Sequence, residues 1–95
     1  MATDPPVALT ISAHDPLGGA GLAADLATFA VLGVHGTVAI TALTAQRFGS
    51  VDRVEPTALD LLEAQLDGVV ASLPLAAVEV GLLGSAQAVA LVADR

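Results

Sequence analysis

The segment from Val7 to Gly33 constrains the fold of this chain most, because it predicts a strand, a glycine-rich turn and a helix in direct succession. Residues 7–13 form an apolar, partly β-branched run, as expected of a buried strand. Pro16 ends that run, since proline lacks an amide donor. The glycines at 18, 19 and 21 then allow close backbone approach. Apolar residues at three- and four-residue spacings predict a helix from Gly21 to about Gly33, whose N-terminal amides are a natural anion site.

The rest of the chain predicts further strands and helices in alternation. In order, they are a strand at 36–43, a polar loop at 44–50, a short strand at 51–54, a helix that begins at Pro56 and Thr57 and ends before Pro74, a strand at 77–83, and a helix at 86–93 with Ser85 as its N-cap. This alternation is typical of one α/β domain with a parallel sheet. Ligands bind beyond the carboxyl ends of such strands, so the loops at 13–21, 44–49 and 81–85 should converge on one site.

Composition excludes several classes of function. The 95 residues carry a formal charge of −7, with three arginines and no lysine. Nucleic acid is therefore not an expected partner, because phosphate binding needs a basic face. There is no cysteine, which excludes disulfides and thiolate metal sites. No metal site is expected from the sequence.

Membrane insertion and secretion are not expected either. The stretch from Leu26 to Gln46 has no acidic residue, lysine or arginine, but Gly33 and Gly36 bracket a turn within it. A membrane-spanning helix would need about 20 uninterrupted apolar residues. The N-terminal residues contain an acid and no base, unlike a signal peptide. We therefore expect a cytoplasmic protein.

One glycine pattern has a familiar form. Gly19, Gly21 and Ala24 fit the G-x-G-x-x-[GA] fingerprint of dinucleotide-binding folds and lie between a predicted strand and helix. The acid that would bind the ribose, about twenty residues later, is missing. A lysine-containing phosphate loop is excluded because the chain has no lysine. The residues thus disfavour NAD, FAD and a Walker-type nucleotide site.

The polar residues near the predicted site have structural explanations when each is taken alone. Asp25 fits a carboxylate near a helix start, and Asp15 fits a turn cap. Gln46 reads as a loop residue, and His14 as a structural or solvated histidine. Glu79 lies in an apolar strand, where it either faces solvent at an edge or pairs with an arginine. The residues alone therefore indicate an α/β domain with a polar small-molecule site.

Taken together, these motifs resemble a known family. The segments 15–26, 28–29, 32–33, 40–46, 64–67 and 81–85 closely resemble the amino-terminal part of the hydroxymethylpyrimidine and phosphomethylpyrimidine kinases of thiamine biosynthesis. The resemblance covers nearly the whole chain. It implies a ribokinase-like, three-layer α/β/α fold with a mostly parallel sheet, and phosphorylation of hydroxymethylpyrimidine and then of its monophosphate with ATP and Mg²⁺.

The resemblance also assigns roles to individual residues. Asp25 and Gln46 match positions that bind the aminopyrimidine ring, where a carboxylate accepts from the amino group and an amide both donates and accepts. The other implied substrate-binding positions are Ala13, Asp15, Thr44 and Leu82. Ala13 stands where the family has glycine, and Glu79 where it has lysine.

Length limits what the resemblance implies. Members of the family are considerably longer, and their carboxyl half carries the ATP site and the catalytic base. Residues 1–95 are therefore expected to form one partial domain that carries no catalytic residue, lacks the residues that bind ATP and Mg²⁺, and is inactive as a kinase alone. Two assemblies stay open: a homo-oligomer, and a complex with a complementing carboxyl-terminal half.

Two other functions stay open at this point. One is a non-catalytic pyrimidine-binding or interaction module that keeps the pocket or only the fold. The other is a fragment of a pyridoxal-type vitamin kinase, which the Gly18–Gly21 segment and the Thr44–Gln46 segment fit less well.

Overall fold

A computed structural model describes residues 4–81 and Leu91 of the chain. In this part the elements are β1 (Val7–Ser12), α1 (Gly21–Val31), β2 (His35–Ile40), β3 (Ala42–Arg47), β4 (Ser50–Pro56), α2 (Leu59–Ser72) and β5 (Ala77–Val80). The strands form a parallel three-stranded sheet in the order β2-β1-β5 and a separate antiparallel ribbon of β3 and β4. No helix in residues 4–81 is long and apolar enough to cross a bilayer.

β1 is the centre of the sheet. All six of its residues are buried, as expected of a strand that has a parallel neighbour on each side and a helix on each face. Leu9 and Ile11 pack on one face with Leu62 and Leu66 of α2. Because side chains alternate along a strand, Thr10 points to the other face, where its hydroxyl reaches Asp25 of α1. The helices thus lie on opposite faces, which confirms the three-layer α/β/α arrangement.

The predicted strand–turn–helix unit is confirmed with small changes of boundary. Leu26 and Phe29 of α1 contact Gly36 of β2 so closely that a Cβ at Gly36 would overlap the Leu26 side chain. α1 ends in a Schellman motif, in which Gly33 has φ of 72° and the Val34 amide donates to the Phe29 carbonyl at 2.8 Å. No residue of α1 is fully buried, so its apolar face is only partly covered by the described residues.

The second predicted strand is wrong as one element. The apolar run at 36–43 contains all of β2 except His35, and also the start of β3, and these two strands belong to different sheets. Thr41 marks the change: its amide still donates to the Ser12 carbonyl of β1, and its own carbonyl accepts from Thr57. Both halves are apolar because Ala39 and Ala42 are each completely buried. The run therefore shows no break in hydropathy where the chain changes sheets.

The predicted polar loop at 44–50 is also wrong. Residues 44–47 are paired in β3 with β4, and only Phe48 and Gly49 form the turn, with φ of 89° at Gly49. The short strand predicted at 51–54 is confirmed and extends to Ser50–Pro56. Polar residues suit this ribbon because β4 is exposed throughout and β3 on alternate residues.

α2 begins later than predicted. Pro56 lies at the end of β4, and the Thr57 hydroxyl donates to the Ile40 carbonyl at 2.7 Å rather than capping the helix. Of the predicted apolar face, Leu62 and Leu66 are buried, whereas Leu59 and Val70 are exposed. The strand predicted at 77–83 is observed as β5 up to Val80. Its last two residues, the N-cap at Ser85 and the helix at 86–93 lie outside the described residues, apart from Leu91, which packs against the core.

Candidate functional site

The carboxyl ends of the strands surround one cavity of about 310 Å³. In the described part of the chain its lining residues come from the end of β1, the turn before α1, α1 itself, β3 and β5. They are Ser12, Ala13, Asp15, Ala20, Gly21, Asp25, Thr44, Gln46, Glu79 and Gly81. Five of the six predicted substrate-binding residues are among them. Leu82, the sixth, lies outside the described residues.

The turn before α1 is shaped by Asp15. One carboxylate oxygen accepts from the Leu17 amide and the other from the Ala20 amide, each at 3.0 Å. Gly21 has φ of 66°, and a Cβ there would overlap the Ala13 carbonyl oxygen, so only glycine fits. The turn-capping role predicted for Asp15 is therefore present, and the side chain still lines the cavity.

The N-terminus of α1 is partly satisfied by the chain itself. Asp15 accepts from Ala20, the residue that precedes the helix, and the Ala13 carbonyl accepts from the Leu22 amide at 3.1 Å. At the anion site predicted there, two amides thus already donate to a carboxylate and a carbonyl of the protein. An external anion would compete with these internal acceptors.

Asp25 is held by a buried hydroxyl network. It lies in the second turn of α1, where the Thr10 hydroxyl donates to Oδ2 at 2.6 Å. Thr10 and Ser12 are hydrogen-bonded to each other at 3.0 Å. Since the single Thr10 proton goes to Asp25, Ser12 must be the donor in that pair. Within residues 4–81, Oδ1 of Asp25 has no hydrogen bond, which leaves it available to a ligand in the cavity.

The ribbon contributes Thr44 and Gln46 on one face of β3. The Thr44 hydroxyl donates to the His14 carbonyl at 2.6 Å and accepts from Nε2 of Gln46 at 2.9 Å. The His14 amide donates to the Ala42 carbonyl at 2.9 Å. These bonds fasten β3 to the segment that follows β1. They leave the side-chain oxygen Oε1 of Gln46 and one proton of its Nε2 without a partner in the described part of the chain.

His14 itself does not line the cavity. Its Nδ1 atom is buried and has no hydrogen-bond partner among the described residues, while its backbone connects the two sheets. The histidine is therefore placed as a structural residue of the junction. Ala13, which stands where the resemblance implies a glycine, is buried and lines the cavity.

Ser12, Ala20, Gly21, Glu79 and Gly81 line the cavity without having been predicted as site residues. Glu79 pairs in parallel register with Thr10, so its side chain lies on the sheet face that carries the Thr10–Asp25 contact. It faces the site from the exposed edge strand and pairs with no arginine in residues 4–81. Glu79 reaches the cavity because of the register in which β5 pairs with β1, and this register cannot be predicted from the sequence.

In the part of the chain that the structure describes, the charged residues on the cavity wall are all acidic. Asp15, Asp25 and Glu79 are its charged residues, while the described arginines lie on the ribbon, paired as Arg47–Asp52 and Arg53–Glu55. Residues 4–81 contain no group of three or more His, Cys, Asp or Glu that could hold a metal ion. The geometry offers hydrogen-bond acceptors, one amide and a polar floor, which suits a small heterocycle with an amino group.

Comparison with known proteins finds relatives that are named as pyrimidine kinases. A family model described as phosphomethylpyrimidine kinase matches residues 15–95. A hydroxymethylpyrimidine/phosphomethylpyrimidine kinase of Rhizobium meliloti is 42% identical over 88 residues, which are 93% of this chain and 33% of that protein. The corresponding protein of Synechococcus elongatus is 49% identical over 88 residues, covering 93% of this chain and 34% of its own length. The chain thus spans about a third of the curated relatives it matches.

Solved structures share the fold. The crystal structure of phosphomethylpyrimidine kinase from Clostridium difficile 630 matches with a TM-score of 0.90 and 35% identity over 94% of this chain and 38% of that one. An ADP complex of Bacillus subtilis pyridoxal kinase matches with a TM-score of 0.88 and 32% identity over 95% of this chain and 34% of that one. Both support a ribokinase-like α/β fold, of which this chain spans a part.

Proposed function

The chain belongs to the phosphomethylpyrimidine kinase family, and from this we propose that it carries the pyrimidine-binding part of an ATP-dependent kinase that phosphorylates hydroxymethylpyrimidine and its monophosphate in thiamine biosynthesis. The observation that carries this proposal is the convergence of Asp25, Thr44 and Gln46 on one cavity. These residues come from a helix and a ribbon strand that are distant in sequence. They meet at the carboxyl end of β1, and the carboxyl ends of strands are where α/β folds bind ligands.

Recognition of the ring would rest on two side chains with fixed orientation. Asp25, oriented by Thr10, accepts from the exocyclic amino group through Oδ1. Gln46, oriented by Thr44, offers an amide oxygen and one remaining proton to a ring nitrogen and its neighbour. Asp15 keeps the glycine turn in shape, and Ala13 forms the wall beside it. We propose Leu82 as a further contact.

The described residues are not suited to bind a nucleoside triphosphate or the metal ion that accompanies it. They contain no lysine, both of their arginines are paired on the ribbon, and the cavity wall is acidic. Phosphoryl transfer depends on positioning and charge stabilisation by cationic groups. We therefore propose that ATP and Mg²⁺ bind in the part of the family's domain that this chain does not span, and that the 95-residue chain alone has no kinase activity. Turnover of ATP by the pure chain would contradict this.

The same observation favours a second candidate. The cavity has the groups that we propose bind a pyrimidine, and it has no cationic side chain among the described residues, which suits a non-catalytic pyrimidine-binding module. The two candidates differ in what restores activity. A kinase half-site gains phosphorylation of hydroxymethylpyrimidine when the carboxyl-terminal part of a relative is added, whereas a binding module does not.

Location and assembly follow as further proposals. We place the protein in the cytoplasm, in keeping with its acidic, cysteine-free composition. The exposed edge strand β5, with Val78 and Val80 about half exposed, suits either a second copy of the chain or a complementing carboxyl-terminal half. Light scattering of the pure chain, with and without that half, distinguishes the two.

Binding of the pyrimidine is tested by calorimetric titration of the chain with hydroxymethylpyrimidine. We expect saturable binding by the natural chain and at least a tenfold loss in Gln46→Ala. Arg47→Ala is the matched control, because Arg47 is the next residue on the opposite, exposed face of β3. Absence of binding by a folded chain, or equal losses in both variants, would contradict the proposal.

A further inference from the structure

The cavity wall has charge of one sign only. Asp15, Asp25 and Glu79 line it, and in the described part of the chain no arginine, lysine or histidine does. The two described arginines are paired on the ribbon with Asp52 and Glu55. A ligand that enters this cavity therefore meets three carboxylates and, among the described residues, no cationic side chain.

Backbone amides offset this charge only in part for an incoming anion. A helix N-terminus normally attracts phosphate through its free amides. At α1, the Ala20 amide already donates to Asp15 and the Leu22 amide to the Ala13 carbonyl. The positive end of the helix dipole is thus partly neutralised by a carboxylate of the chain itself.

Glu79 is the least compensated of the three carboxylates. Asp15 accepts two backbone amides, and Asp25 accepts the Thr10 hydroxyl. Glu79 has no hydrogen bond or ion pair within residues 4–81. It lies opposite Thr10 in the β1–β5 register, on the face that holds Asp25. Among the described residues, its charge therefore acts on the cavity with no counter-charge beside it.

Resting on the function proposed above, we propose that Glu79 makes the cavity selective for uncharged hydroxymethylpyrimidine over its monophosphate. A sphere with the volume of the cavity is about 8 Å across, comparable with the Debye length at physiological ionic strength. A phosphate anywhere in the cavity therefore lies within about one Debye length of the lining carboxylates, so their repulsion is only partly screened. The neutral alcohol has no such cost.

The test compares the dissociation constants of the alcohol and the monophosphate by calorimetry. It uses the natural chain, Glu79→Gln and Glu79→Lys, each checked for folding by circular dichroism. Glu55→Gln is the matched control, because it removes the same charge from an exposed strand residue opposite Leu43, on the ribbon face away from Thr44. Titrations are run at about 0.01 M and about 1 M salt, which lowers the Debye length from about 30 Å to about 3 Å.

We expect the natural chain to bind the monophosphate at least about tenfold more weakly than the alcohol at low salt. The ratio of the monophosphate's dissociation constant to that of the alcohol should fall in Glu79→Gln and fall further in Glu79→Lys. It should stay the same in Glu55→Gln, and in the natural chain it should fall at high salt. Equal affinities in the natural chain, or a ratio that Glu79→Gln and Glu79→Lys leave unchanged, would overturn this inference alone. If neither compound binds the folded chain, the proposed function fails and this inference with it.

Discussion

The two regions that build the cavity are stabilised in different ways. β1 is buried along its whole length, between two parallel strands and two helices. β4 is exposed at every residue, and β3 is buried only where it leaves the core at Ala42. Asp25 is thus anchored to the core through buried Thr10, whereas Gln46 is held by a hydrogen bond to Thr44 within the ribbon. Substitutions in the core should therefore change stability most, and substitutions in the ribbon should change binding most.

The largest effect is expected from Leu66→Ala. Leu66 is 2% exposed and packs against Leu9 and Ile11, so its loss leaves a cavity that should lower the free energy of unfolding by about 2–4 kcal/mol. Leu61→Ala, on the exposed side of the same helix, should change it by less than about 0.5 kcal/mol. Urea denaturation measures both. Similar losses in the two variants would contradict the assignment of the core.

The next largest effect is expected from Thr10→Val, which keeps the shape of the side chain. It removes the buried hydroxyl that donates to partly buried Asp25 and accepts from buried Ser12, and should cost about 1–3 kcal/mol. Affinity for hydroxymethylpyrimidine should fall as well, because Asp25 loses its orientation. Thr28→Val removes an exposed hydroxyl from α1 and is the control. If Thr10→Val were stable and bound normally, the hydroxyl network would have no role in the site.

Thr44→Val tests the ribbon. The Thr44 hydroxyl is the only described link between Gln46 and the His14 carbonyl, so its removal should lower affinity about tenfold while costing only about 1 kcal/mol of stability. Thr44→Ser keeps the hydroxyl and should restore binding. If Thr44→Val lost stability and affinity in the same proportion as Thr10→Val, the core and the ribbon would not differ in how they affect stability and binding.

The smallest effect is expected at the tip of the ribbon. Phe48 is 92% exposed, and Phe48→Ser should change the free energy of unfolding by less than about 0.5 kcal/mol. Binding of hydroxymethylpyrimidine should be unaffected, because Phe48 does not line the cavity. Thermal denaturation and calorimetry check both expectations. A loss above about 1 kcal/mol would show that the tip packs against another part of the protein.

Local patterns were enough to predict the strand–turn–helix unit and the sheet it belongs to. A β-branched run, three glycines and a helical spacing act within a few residues of one another, and the convergence of strand ends follows from the parallel topology. That reasoning placed Asp15, Thr44 and Gln46 in loops expected to converge on one site, whereas Asp25 was assigned to the site only by the family resemblance. The structure brings all four to one cavity.

The ribbon and Glu79 could not be predicted in the same way. The break at Thr41 depends on contacts with Ser12 and Thr57, which are 29 and 16 residues away in sequence, and the apolar pattern continues across it. Glu79 lines the cavity only because β5 pairs with β1 in the register that sets it opposite Thr10. Both features are decided by tertiary pairing, which overrides local propensity.

The most direct test of the account is an NMR titration of the ¹⁵N-labelled chain with hydroxymethylpyrimidine. The account predicts that amide shifts change saturably, with one dissociation constant, both in the turn from Ala13 to Gly21 and in β3 around Thr44 and Gln46. Amides at the opposite end of the sheet, around Val7 and Leu75, should not respond and serve as the internal control. Changes confined to one of the two regions, or to the opposite end, would contradict a pyrimidine site built jointly by the core and the ribbon.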